Sequence, residues 1–182
     1  MTLPDDRSAE KPWPNVGYAS LVLALLTSAY ALSFVDRQVL TLMVEYVKAD
    51  LRINDSEIGL LTGLGFSLFY VILGVPLARL MDSSDRRTIV ATCIAVWSLM
   101  TALCGTARSF VTLLLARVGV GCGEAGVNPG SASLLADYFP KRQLPAAMGV
   151  YSMGIYLGGG MALIAGGQLL RAFSHLGLVS LP

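Results

Sequence analysis

The sequence predicts an all-α, polytopic membrane helix bundle, and three observations carry that reading. Of 182 residues, 54% are hydrophobic and only 14% charged, whereas soluble domains carry about 25% charged residues. Charge-free runs of 20 residues or more recur at 16–35, 58–78, 88–107 and 143–170, and a bilayer core about 30 Å thick needs roughly 20 apolar residues of helix. Nothing alternates on the two-residue period of a membrane barrel. A backbone in hydrocarbon must satisfy its own hydrogen bonds, which leaves the helix.

Residues 1–15 hold Asp5, Asp6, Arg7, Glu10, Lys11, Pro12 and Pro14. They read as a polar cytoplasmic tail, since a secretory signal passes from a basic start into a short apolar stretch. A first span is expected over 16–44, because the apolar run resumes at 38–44 beyond Asp36 and Arg37. A second is expected over 58–80 and a third over 88–107. The fourth, 109–136, is interrupted only by Arg117 and Glu124. The fifth, 146–170, follows Pro145. Residues 171–182 are too short to span, and an odd number of helices with an apolar ending is what a truncated product or fragment would show. His175 reads as a surface or interface residue rather than a ligand.

Lys and Arg in the joints set the orientation. With the amino terminus inside, the inner side holds seven (Arg7, Lys11, Arg79, Arg86, Arg87, Lys141, Arg142) and the outer side four (Lys48, Arg52, Arg108, Arg171). The amino terminus is therefore expected to be cytoplasmic. A net charge of +1 without a clustered basic face excludes a nucleic-acid partner. Cys93, Cys104 and Cys122 all sit in apolar runs without a CxxC pair and read as small hydrophobes. No nucleophile–base pair, metal cluster or phosphate loop is visible, so neither an enzyme nor a cofactor is expected.

Charged groups at membrane depth cost several kcal/mol and persist mainly beside a cavity, a partner or a pathway. Asp36 and Arg37 fall within the outer half of the first span. Arg117 and Glu124 are seven residues apart, about two turns, which puts both on one helix face about 10 Å apart along the axis. Two readings fit these four residues. In one they form an ion-pair network that holds the bundle in register. In the other Asp36 or Glu124 loads and releases protons, while Arg37 and Arg117 bind an anionic substrate group. A switchable ion pair needs the same residues in both.

Small residues are the other signal. The fourth span reads RVGVGCGEAGVNPGSAS, and a Gly/Pro-interrupted helix with a carboxylate suits a substrate-lining role, Asn128 included. Gly59 and Gly63 in the second span, and Gly154 and Gly158 in the fifth, have the spacing that lets helix backbones approach. Phe66, Phe69 and Tyr70 read as packing rather than as a ligand cage.

The joint GVPLARLMDSSDRRTIV resembles the signature loop of the major facilitator superfamily, with Ala78, Asp82, Arg86 and Arg87 at the matching positions. Ser83 stands where an arginine is usual and Asp85 where a glycine is usual. Arg117 with the glycines after it resembles the family's second signature. Within the superfamily, FVDRQVL, RVGVGCGEAGVNPGSASLLADYFP and YSMGIYLGGG resemble the spinster-like lipid transporters, over residues 30–167. A DR pair on the first helix also occurs in organic-anion symporters of the superfamily.

The resemblance implies a partial six-helix half of the major facilitator fold, five spans of it present, working by alternating access. It implies that Asp36 and Glu124 couple proton movement, with Arg37 nearby in the polar cavity. It also implies an inner gate of Asp82, Arg86 and Arg87, with Asp137 as a partner for the arginines. The expected partners are the lipid bilayer, protons, an organic or lysolipid-like solute and a carboxy-terminal half; Asp82 is expected to meet a helix of that half. The expected location is a bacterial inner (plasma) membrane. A chain with less than one half of the fold is expected not to transport alone. The rivals are a non-transporting membrane remnant or assembly subunit, and an organic-anion symporter.

Overall fold

The computed structural model describes residues 14–175, with side chains up to Gln168. The expected tail up to Trp13, the residues beyond His175, and the side chains of Arg171 and His175 lie outside the described residues. Within them the elements are α1 (Val16–Leu42), α2 (Val44–Leu51), α3 (Asp55–Ser83), α4 (Arg86–Cys104), α5 (Phe110–Tyr138) and α6 (Leu144–His175). All but the short α2 are long and apolar enough to cross a membrane, so the five expected spans are present.

Their ends follow local chemistry. The first span, expected to reach 44, stops at Leu42: the Met43 N–H turns back to the carbonyls of Val39 and Leu40, and α2 begins after it. Arg52 closes α2 with a φ of 53°, a left-handed conformation uncommon for a non-glycine residue. α3 starts earlier than expected because Asn54 and Glu57 form a capping box, which satisfies two orphan N–H groups reciprocally. Asp85 caps α4, accepting from the N–H groups of Arg87 and Thr88. Ser109 and Thr112 box the start of α5. α6 continues past the expected end at 170 to His175.

Residues Leu60–Leu64 of α3 form a π-helical turn, closed by a hydrogen bond from the Gly65 N–H to the Leu60 carbonyl. A Cβ on Gly65 would lie 2.6 Å from that carbonyl oxygen, so this turn requires glycine.

The core runs along α5. There 56% of the most apolar stretch is buried, against 17–28% in the other four spans, so α5 is the central post. Three apolar clusters are strung along it: Leu113 with Ile53, Ile58 and Leu61 near α2; Val120 with Phe66 and Trp97 at mid-height; and Leu134, Leu135 and Tyr138 with Ala19, Met81 and Val90 at the opposite end. Glycines let α4 come close. A Cβ on Gly123 would sit 2.6 Å from the Trp97 backbone nitrogen, and one on Gly126 2.6 Å from Cys93 Sγ. Gly154 and Gly158 bring α6 against α1 as expected; a Cβ on Gly158 would fall 2.2 Å from the Ala31 carbonyl oxygen. The same expectation fails for Gly59 and Gly63. A Cβ at either meets nothing within 4 Å among the described residues, because that face of α3 packs on no described helix.

Candidate functional site

Two ion pairs cross between α1 and α5 at membrane depth. Neighbours on a helix diverge by about 100°, so Asp36 and Arg37 reach different levels of α5. Arg117 donates through Nη1 to Asp36 Oδ2 at 2.9 Å and through Nη2 to the Asp36 carbonyl at 3.5 Å. Arg37 donates from Nε to Glu124 Oε2 at 2.9 Å, and its Nη2 reaches the same oxygen. The four expected residues are thus one cluster, and the seven-residue spacing of Arg117 and Glu124 is what separates the two pairs.

The pairs differ in exposure. The Asp36 and Arg117 side chains are 11% and 7% exposed. Glu124 is 2% exposed, but Arg37 is 34% exposed. Glu124 Oε1 is buried with no hydrogen-bond partner among the described residues, so one oxygen of the carboxylate carries the whole pair. The Arg37 guanidinium lies 4.7 Å from the centre of the Phe66 ring, 5.3 Å from Tyr70 and 5.4 Å from Phe34. Such faces attract a cation through the ring quadrupole, and they hold Arg37 while its outer edge stays open. Reading Phe66 and Tyr70 as packing alone missed this. The signal was their i, i+4 spacing on α3, and it needed the approach of α1 to acquire meaning.

Arg37, Gln38, Thr41, Thr62, Ser67 and Arg117 contribute to the lining of a cavity of about 240 Å³. Two guanidiniums facing one small polar space suit an anionic group. One turn beyond Glu124, Asn128 Oδ1 accepts from the Tyr151 hydroxyl at 2.8 Å, and Tyr151 stacks on Tyr30 with ring centres 4.6 Å apart. This ties the charged cluster to α6, through two tyrosines that sequence reasoning did not single out.

A second cluster lies where α3 turns into α4, around a cavity of about 440 Å³ whose lining includes Asp82, Asp85, Arg86, Arg87 and Asp137. Arg86 donates to Asp137 Oδ2 at 2.6 Å and to the Met81 carbonyl at 3.2 Å. Arg87 instead lies over the Tyr138 ring, 5.3 Å from its centre. Asp82 is exposed at the cavity rim, and Ala78 is half-buried one turn earlier on α3. Arg86 and Asp137 are therefore brought together, Asp82 and Arg87 line the same cavity, and Ala78 lies outside that lining. Among the described residues no group of three or more His, Cys, Asp or Glu side chains could hold a metal ion.

The family model of the Major Facilitator Superfamily matches residues 26–179. The chain belongs to the Major Facilitator Superfamily. It is 34% identical over 182 residues to an MFS-type efflux pump of Mycolicibacterium smegmatis, covering 97% of this chain and 41% of the pump. It is 27% identical to the hexuronate transporter of Bacillus subtilis, over 84% of this chain and 36% of that protein. The crystal structure of a bacterial homologue of the human lysosomal transporter spinster, inward-facing and occupied, is 41% identical with a TM-score of 0.83, covering 91% of this chain and 37% of that one. The chain thus spans well under half the length of each of these relatives. They are transport proteins rather than enzymes, and the spinster likeness matches the resemblance read from the motifs. Five apolar spans and this membership make the chain an integral membrane protein.

Within the superfamily loop, the departure at Asp85 has a structural meaning. Its carboxylate accepts from Thr88 Oγ1 at 2.5 Å, Thr88 N at 3.2 Å and Arg87 N at 3.4 Å. The Thr88 hydroxyl and backbone N–H hold this carboxyl below its usual range, as hydrogen bonds to a charged form do. At the opposite end Lys48 Nζ meets Asp55 Oδ1 at 2.5 Å, which raises the ammonium above its ordinary value and links α2 to α3.

Proposed function

We propose that this chain supplies the amino-terminal bundle of a proton-coupled secondary transporter for an organic or amphiphilic solute, working by alternating access. The observation that carries this reading is Glu124: a carboxylate 2% exposed, with one oxygen on Arg37 and the other without a hydrogen-bond partner among the described residues. A proton taken up by Glu124 removes the charge that holds Arg37. The guanidinium is then free to turn to an anionic head in the cavity it shares with Arg117. By reciprocity, a solute anion on Arg37 loosens its grip on Glu124 and favours proton uptake. Asp36 and Arg117 form the companion pair, and Asn128 lines the route beside Glu124. Asp82, Arg86, Arg87 and Asp137, with Ala78 leaving room on α3, act as a gate at the α3–α4 turn.

The 41% identity to a bacterial spinster homologue supports a lysolipid-like substrate. The location proposed is the inner membrane of a bacterium with the amino terminus cytoplasmic, supported by seven basic residues against four across the joints. Alternating access needs two bundles rocking about a shared site, so the 182-residue chain reconstituted alone is expected to give no solute uptake.

The test is uptake of a lysophospholipid into proteoliposomes bearing the two-bundle protein that contains this sequence. A proton gradient should drive accumulation, and Glu124→Gln should abolish its pH dependence. Unchanged pH dependence in that variant returns Glu124 to a purely structural role. A second reading, an organic-anion symporter, is favoured by the likeness to a hexuronate transporter and by the two cavity arginines; competition by hexuronate but not by lysophospholipid selects it. No gradient-driven flux of either solute would point to the non-transporting remnant or assembly subunit.

A further inference from the structure

The glycine contacts divide the described bundle into two packets. On α6, a Cβ at Gly154 would lie 2.9 Å from the Thr27 carbonyl oxygen, and one at Gly158 2.9 Å from Phe34 Cβ. α6 is therefore pressed onto α1. On α5, a Cβ at Gly121 would lie 2.8 Å from the Phe66 carbonyl oxygen, and one at Gly123 2.6 Å from the Trp97 nitrogen. α5 is therefore pressed onto α3 and α4. Small residues let backbones meet in this way, and none of those on α5 has α1 or α6 nearest to it. At mid-height the two packets meet instead through the side chains of Asp36, Arg37, Arg117, Glu124, Asn128 and Tyr151.

Four of those side chains belong to a closed circuit. Tyr151 is 3% exposed, and a buried tyrosine hydroxyl needs a partner. Asn128 Oδ1 supplies it at 2.8 Å. The Tyr151 ring stacks on Tyr30 with planes 6° apart. Tyr30 meets Phe34 edge-on at 5.4 Å, and the Arg37 guanidinium lies over Phe34. Arg37 holds Glu124, and Glu124 and Asn128 stand one turn apart on one face of α5. Gly154 and Gly158 back this arrangement, lying against the Cβ atoms of Tyr30 and Phe34. A single residue of α6 thus grips α5 one turn from Glu124 and grips α1 on the side of Arg37. Arg117, two turns before Glu124 and bonded to Asp36, is outside the circuit.

An ion pair keeps its geometry only while the side chains around it are fixed. We propose that Tyr151 is a positioning residue for the Arg37–Glu124 pair, setting the reach from α1 to α5 through its hydroxyl on Asn128 and its stack on Tyr30. It acts through those two neighbours rather than on the pair itself. The positioning stands on this geometry alone. That it also sets how readily Arg37 gives up Glu124 to a solute rests on the transporter reading above.

The test reads the pair rather than flux, so its failure is distinct from a failure of that reading. The full 182-residue chain, carrying isotope-labelled arginine, is studied in phospholipid vesicles by solid-state NMR at mildly alkaline pH. The Arg37 Nε–H resonance, assigned by its loss in Arg37→Lys, is carried downfield by the bond to the Glu124 carboxylate. In Tyr151→Phe, which keeps the stack and removes the hydroxyl, it should move back toward the position of solvated arginine. Asn128→Leu, which removes the acceptor, should produce the same displacement. Combining the two should add nothing, because both break one link. The Arg117 resonance should hold still throughout, and Tyr156→Phe, at an 81% exposed tyrosine of the same helix, should move neither. An Arg37 resonance unmoved by both Tyr151→Phe and Asn128→Leu would overturn the proposal. So would an Arg117 resonance displaced alongside it, which would mean that Tyr151 only holds the bundle together.

Discussion

The two crossed ion pairs use the same chemical groups, about two turns apart along α5, and the fold treats them differently. Asp36–Arg117 is largely buried on both partners, at 11% and 7% exposure. Arg37–Glu124 joins a 2% exposed carboxylate to a guanidinium 34% exposed, held by three aromatic faces. A pair sealed on both partners cannot change hands without leaving a bare charge, so it resists rearrangement. A pair with one open partner can trade its carboxylate for a solute. Both arginines help line the same cavity, so the difference rests on depth: Arg117 is buried against α1, whereas a third of the Arg37 side chain stays open.

The largest effect that tests this contrast is Arg117→Met. It strands the Asp36 carboxylate, and breaking a buried pair from one side costs about 3–5 kcal/mol. We expect a large fall in thermal stability in detergent, substantially recovered by adding Asp36→Asn. Failure of that recovery would mean Arg117 packs rather than pairs. Next comes Gly123→Ala, whose Cβ would lie 2.6 Å from the Trp97 backbone; overpacking of this kind costs about 1–3 kcal/mol. Gly63→Ala, with nothing within 4 Å, should leave the melting temperature unmoved.

Glu124→Gln should cost less than Arg117→Met, because glutamine keeps an oxygen for Arg37 and adds no stranded anion; its signature is a flattened pH dependence of uptake. A stability loss equal to that of Arg117→Met would erase the distinction between the two pairs. The smallest effect is expected outside the bilayer, at Asp85→Ala. The Asp85 carboxyl is held below its usual range by Thr88, so its contribution is present above the unfolded value, about 3.9, and fades as pH falls through the lower folded value. The variant should therefore lose slightly at neutral pH and show a shallower acid limb in a melting-temperature series.

Much of the fold was legible because lipid imposes one rule on every residue of a span: long charge-free runs must be helices, and their number follows by counting. Helix ends were less legible. The capping boxes at Asn54 and Ser109 are local signals that composition alone passes over, and the break at Met43 interrupts an apolar run that continues through it. Gly59 and Gly63 show the limit of spacing as a signal. The same pattern marks a close approach at Gly154 and Gly158 and open space on α3, because a small residue permits contact and does not supply a neighbour. At the site, periodicity put Arg117 and Glu124 on one face and named all four charges. It could not assign the pairing, or find Phe34, Phe66 and Tyr70 around Arg37.

The sequence by itself determined the helical class, the five spans and the identity of the charges at membrane depth, since each follows from the cost of exposing polar groups to hydrocarbon. Tertiary structure decided which carboxylate each arginine holds, and which pair is sealed and which is open. The physical reason is distance. Those properties depend on atoms brought together from residues more than eighty positions apart, and no local pattern carries the relative height and rotation of two helices.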